Sequence, residues 1–122
     1  MIKELILLIR LAFMPFNRPG EILFPLELKY FPLRGYLAMM WFGWLIYRGD
    51  EDLSDKILCH ELIHLGQARA KGSFWSYYIS YLWEWIKSGF KYRKNPYERE
   101  AFANQGDPKY IPTRTSYKKY ES

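Results

Sequence analysis

The stretch Leu53 to Gly72, LSDKILCHELIHLGQARAKG, decides the fold. Ser54 and Asp55 are good helix N-caps, the preceding cluster Asp50-Glu51-Asp52 suits a helix N-terminus electrostatically, and Gly72 is a natural stop. The pattern predicts a helix from about Leu53 to Lys71. Within it Leu58, Leu62 and Leu65 fall at i, i+4 and i+7, one apolar stripe. His60, His64 and Gln67 form a second stripe with the same spacing, roughly 160–200° round the helix from the first. The expectation is a central helix with the leucines in the core and a polar site opposite.

His60-Glu61-Leu62-Ile63-His64 is an HExxH pattern, and its spacing has a mechanical reason. Histidines four apart project from one helix face, so both imidazoles can reach a single Zn²⁺. Glu61 lies beside the metal, where a carboxylate can take a proton from activated water and deliver it to a leaving amine. A lone histidine is by default a satisfied core or surface residue. Here the two are the only histidines in the chain, they are paired at ligand spacing, and Glu61 stands between them.

Catalytic zinc usually has three protein ligands and an open fourth position. With no third histidine, and with Cys59 about 100° from His60 on the same helix, the third ligand is expected to be a carboxylate from elsewhere. The best supply is Asn95-Pro96-Tyr97-Glu98-Arg99-Glu100-Ala101-Phe102-Ala103-Asn104. Asn95 is an N-cap and Pro96 suits the first helical position, so a helix is predicted to about Gln105, ending at Gly106. Glu98 and Glu100 sit about 200° apart on it, so only one can face the metal. Glu98 also occupies the reciprocal capping position after Asn95.

An HExxH helix followed by a glutamate-bearing helix resembles the gluzincin branch of the zincins. NPYEREAFAN is similar to the glutamate helix of small bacterial gluzincin-like putative metallopeptidases whose first helix reads HExxHxxQ, as His60 to Gln67 does. The resemblance runs from about Gly35 through the C-terminal tail. It implies a minimal zincin-like α+β domain with one zinc ion, Glu61 as general base, and His60, His64 and Glu98 as ligands, with Ala101 allowing close helix approach. The rival mapping takes Glu100 as the ligand, with Ala103, and Asn104 supporting a histidine. Phe102 stands where gluzincins often place an acidic residue. Gln67 is a candidate support for His64. An oxyanion stabiliser would come from Tyr97, Tyr110, Arg114 or Tyr117. An edge strand within Tyr36 to Arg48 would bind substrate backbone by strand addition.

The rest of the chain is read around these helices. Pro15, Pro19-Gly20, Pro25, Pro32 and Gly35 break the N-terminal third into loops and short strands after an amphipathic helix within Ile2 to Phe16. YLAMMWFGWLIYR, Tyr36 to Arg48, predicts a strand bent at Gly43 or two short strands. Phe74 to about Phe90 predicts a helix with Ser76, Ser80, Glu84 and Lys87 on its polar side. Its broad aromatic face, with Trp75, Tyr78, Trp83 and Trp85, is expected to be mostly core. The fold class expected is therefore α+β, one domain over residues 1–122, with 1–34 an amphipathic and loop segment and 106–122 an extended basic tail.

Composition bounds the function. The chain has 122 residues, 11 Tyr, 8 Phe and 5 Trp, enough to bury one core but not two domains. A single cysteine excludes a disulfide framework and suits a reducing, cytoplasmic setting. The Ile2 to Phe16 segment lacks the features of a signal peptide, and no run reaches the roughly 18–20 apolar residues of a spanning helix. Residues 1–86 hold 9 Lys/Arg against 9 Asp/Glu and residues 87–122 hold 9 against 4, so the whole excess charge is C-terminal. No nucleic-acid motif accompanies it, and no nucleic-acid partner is expected. Peptide-bond hydrolysis on a peptide or protein substrate is the leading expectation. The alternative is a non-catalytic, zinc-stabilised interaction or membrane-surface module, with peripheral contact through aromatic and basic groups.

Overall fold

The structure, a computed structural model, describes residues 1–13, 19, 20, 22–32, 37–49 and 53–121. The acidic cluster 50–52, the breakers Pro15 and Gly35, and Tyr36 lie outside the described residues. The architecture is mixed α+β. Helix α1 (Ile2–Ala12) precedes strand β1 (Phe24–Leu28) and the pair β2 (Ala38–Trp41) and β3 (Trp44–Arg48). Helices α2 (Asp55–Lys71), α3 (Phe74–Lys87) and α4 (Pro96–Asn104) follow.

The sheet has the order β1-β3-β2, with β1 parallel and β2 antiparallel to β3. Of the two alternatives expected around Gly43, two short strands form. Their connection is Phe42-Gly43, with φ of 49° and 90°, the positive pair that a tight two-residue hairpin turn demands. Positive φ is costly for a bulky residue. Phe42 is held there because its ring packs on Tyr78 and Trp41, with centroids 4.6 and 4.9 Å away. Helix α1 is fastened beside the sheet: Trp41 Nε1–H donates to the Leu8 carbonyl at 2.8 Å, and the Glu4 carboxylate accepts the Lys29 and Tyr30 amides, both at 2.8 Å.

Helix α2 begins where Ser54 Oγ accepts the Ile57 amide at 3.2 Å and ends at Gly72, whose φ of 91° is left-handed. Its orientation departs from the leucine-stripe expectation. Leu62 is 45% exposed and Leu58 only half-buried, whereas His60, Glu61, His64 and Gln67 are buried with Ile63, Leu65 and Ala68. The physical reason is that the polar stripe has partners: β2, α3 and α4 all pack on α2 and satisfy its side chains. Burial of a bonded polar group then costs little.

Helix α3 also turns differently from the sequence expectation. Trp75 and Trp83 are 44% and 60% exposed, while Phe74, Tyr77 and Glu84, the last on the predicted polar side, are buried. The tyrosines are drawn inward because their hydroxyls find acceptors there; tryptophan offers no comparable reach. Helix α4 follows its predicted signals, with Asn95 Oδ1 accepting the Tyr97 amide at 3.0 Å and Pro96 at the first position. The tail is not simply extended. It closes with a 3₁₀ turn at Ser116–Tyr120 that packs on α4, where Tyr117 stacks on Tyr97 at 4.1 Å and 18°.

Candidate metal centre

The two histidines of α2 and the first glutamate of α4 converge. Glu98 Oε1 lies 3.0 Å from His60 Nε2 and 2.9 Å from His64 Nε2, and the two Nε2 atoms are 3.2 Å apart. All three side chains are buried. The contact is possible because His60 and His64 stand one above the other on α2 while Ala101, fully buried, lets α4 come close.

The outer nitrogens fix what the inner ones can do. His64 Nδ1 donates to Gln67 Oε1 at 2.8 Å, and Gln67 Nε2 donates onward to the Tyr97 carbonyl at 3.0 Å and Glu100 Oε1 at 2.7 Å. His60 Nδ1 donates to Gln105 Oε1 at 3.0 Å. With the protons on Nδ1, both Nε2 atoms of the neutral imidazoles present lone pairs toward a carboxylate oxygen. Three acceptors cannot sit at such distances unless a proton or a cation lies among them. In the metal-free protein a proton serves: although burial opposes charging it, Glu98 raises His64 to about 9. The two imidazoles in turn hold Glu98 well below the usual carboxylate range despite its burial. The group could equally hold a metal ion. Separations of 2.9–3.2 Å are close to the edges of roughly 3.3 Å expected of a tetrahedron with metal–ligand bonds of about 2.0–2.1 Å.

Glu61 stands beside this group. Its Oε1 accepts the Met40 amide at 3.1 Å, which ties α2 to the edge strand β2. Burial pushes the carboxyl up to about 7, against the pull of the two histidines. A cleft of about 540 Å³ opens onto Glu61, His64 and Glu98, walled by β2 and by Leu5 and Ile9 of α1.

The remaining sequence candidates divide. Gln67 is in contact with His64, as above. Glu100 is kept from the cluster by Gln67 and by the Tyr110 hydroxyl, which donates to its Oε2 at 2.6 Å. Asn104 does not touch a histidine: its Nδ2 donates to the Glu100 carbonyl at 2.8 Å and to Tyr120 Oη at 3.1 Å. Its expected supporting place is taken by Gln105, and the signal for that was the i+7 spacing from Glu98, which returns to the same helix face. Phe102 lays its ring on His60, with centroids 4.5 Å apart. Cys59 faces the carbonyls of Asn104 and Asp107 instead of the cluster.

The four proposed oxyanion groups are engaged or placed elsewhere. Tyr97 meets Ser80 Oγ at 2.5 Å, Tyr110 binds Glu100, Tyr117 lies 3.4 Å from Lys71 Nζ, and Arg114 is exposed. The hydroxyls at the cluster belong to α3. Tyr81 donates to Glu98 Oε2 at 2.7 Å, Tyr78 to the Met40 carbonyl at 2.8 Å, and Tyr77 lies 3.0 Å from His64 Nδ1. Tyr81 falls three and four residues after Tyr78 and Tyr77, which brings each beside it on the helix surface, a signal the tryptophans obscured. Neither a family model, nor a curated protein, nor a solved structure matches the chain.

Proposed function

We propose that the chain is a minimal zincin-like metallopeptidase holding one zinc ion on His60, His64 and Glu98. The observation that carries this reading is the convergence of three acceptor atoms, with tautomers set by Gln67 and Gln105, beside a second carboxylate at the floor of a cleft. Such a donor set of two imidazoles and one carboxylate suits zinc in a catalytic setting. A purely structural zinc site is usually closed by four protein ligands; a set of three, of which His64 and Glu98 line a cleft, favours catalysis over the structural alternative.

Zinc bound there would supply Lewis acidity, lowering the pKa of water toward neutrality and polarising the scissile carbonyl. Glu61 is the general base. Met40 N–H holds one of its oxygens, which leaves the other to take the proton and return it to the departing amine. Tyr81 or Tyr78, both of which line the cleft, is assigned the developing oxyanion in place of the tail residues, its O–H turning from Glu98 Oε2 or the Met40 carbonyl, respectively, to do so. Burial raises Tyr78 well above the ordinary phenol range, so it stays a donor. An extended substrate would lie along β2. Met40 already spends its outward amide and carbonyl on Glu61 and Tyr78, so backbone pairing would fall on Ala38, two residues back on the same edge.

The decisive experiment is Glu61→Gln. Zinc should remain bound at one ion per chain while hydrolysis of an unfolded protein substrate disappears. Undiminished hydrolysis in that variant would remove the mechanism.

A further inference from the structure

Helix α3 carries an apolar stripe that nothing among the described residues covers. Trp75, Ile79, Leu82, Trp83 and Ile86 recur at helical spacing, and all five are exposed. The stripe continues onto α1 through Phe13, whose ring lies 5.4 Å from that of Trp75. On α1 itself Ile2, Ile6 and Ile9 are exposed in turn. Monomeric soluble proteins rarely leave so many large apolar side chains contiguous in water. Neither helix is long and apolar enough to cross a membrane.

The exposed charges along this surface are mainly basic. Lys3 and Arg10 are exposed on α1, and Lys91 and Lys94 are exposed just past the aromatic stripe, while Lys87 is paired with Glu84 at 2.8 Å and lies 3.9 Å from Glu121, and Arg93 stacks on Phe102. No acidic residue occurs between Trp85 and Tyr97. Of the acids on the two helices, Glu84 is buried and paired with Lys87, and Glu4 is spent on the Lys29 and Tyr30 amides. Tryptophan with aliphatic side chains, fringed by lysine and arginine, is the chemistry of a headgroup interface. A second copy of the chain would bring these cations against themselves.

We infer that the α1–α3 face seats the protein on an anionic lipid bilayer, the apolar stripe entering the interface and the basic fringe meeting the headgroups. Leu5 and Ile9 belong both to α1 and to the cleft wall, so docking also brings the cleft beside the bilayer. The inference stands apart from the proposed hydrolysis, because lipid binding needs neither zinc nor Glu61.

The test is co-sedimentation of the full chain with phosphatidylcholine vesicles, with and without roughly 30% phosphatidylglycerol, an anionic fraction chosen to give a marked negative surface potential. The wild type should bind the anionic vesicles, with a blue shift in tryptophan emission, and release as salt rises through screening. The double variant Ile79→Ser/Leu82→Ser removes two exposed side chains and should lower partitioning by at least about tenfold. Lys91→Glu/Lys94→Glu should weaken binding to anionic vesicles alone. Unchanged circular dichroism guards against misfolding in either variant. Absence of binding by the wild type, binding indifferent to these variants or to salt, or a dimer that ignores vesicles and is dissolved by Ile79→Ser/Leu82→Ser, would overturn the inference.

Discussion

Gln67 joins His64 to Glu100: one amide accepts the imidazole proton at 2.8 Å and donates to the carboxylate at 2.7 Å. Gln67 thereby holds the tautomer of a proposed ligand, and it is itself held by a glutamate outside the cluster. Gln67→Leu should therefore weaken zinc affinity about 10–100-fold, the usual cost of losing such a partner, measured by competition with a chromophoric chelator. An unchanged affinity would show that packing alone orients His64.

The two glutamates of α4 should separate cleanly. Glu98→Ala is expected to abolish stoichiometric zinc binding. Glu100→Gln should retain zinc and lose about 1–3 kcal/mol of stability, since it disturbs two buried hydrogen bonds. Metal analysis and thermal unfolding of both variants check this, and the reverse pattern would hand the ligand role to Glu100.

Gly66 offers a test of how the tail is laid down. Helix propensity alone predicts that Gly66→Ala stabilises α2 by about 1 kcal/mol. A Cβ there would lie 2.8 Å from Pro112 Cγ, so the net effect should be destabilising by about 1–3 kcal/mol. Denaturant midpoints decide the sign.

The metal-free protein should have a distinctive pH profile. His64 is raised to about 9 by Glu98, so the stability it contributes is complete below about 6.5 and lost as pH rises through 9. Glu98 is depressed; its contribution is present above about 4.3 and lost as pH falls below that. Glu61, raised to about 7 by burial, loses its contribution earlier, as pH rises from about 4.3 to 7. Calorimetry should show a melting temperature that declines from about pH 6.5 to 9, with a shallower decline in Glu98→Gln. An equally steep decline in that variant would exclude His64–Glu98 pairing as its source.

What was legible in the sequence was local. Ser54, Gly72, Asn95 and Pro96 each act within one helical turn, and they bound α2 and α4 within two residues of the expected limits. His60 and His64 share a face by spacing alone. The side of α3 that faces inward was not legible, because Trp and Tyr weigh alike in an apolar pattern; it is chosen by acceptors on α2, β2 and α4. The same holds for Leu58 and Leu62, which lose the interior to residues with hydrogen-bonding partners. Gln105 was missed because its partner, His60, is 45 residues away, and the parallel pairing of β1 with β3 is equally non-local.

The dispersal of the cluster along the chain has a consequence for biogenesis. His60 and His64 leave the ribosome first, and Glu98 and Gln105 follow some forty residues later. A nascent chain that has emerged only as far as α3 carries the two histidines and Glu61 but not the Glu98 carboxylate that joins them. On the proposed reading the centre can close only after α4 has emerged and docked on α2, so metal capture would follow the synthesis of α4.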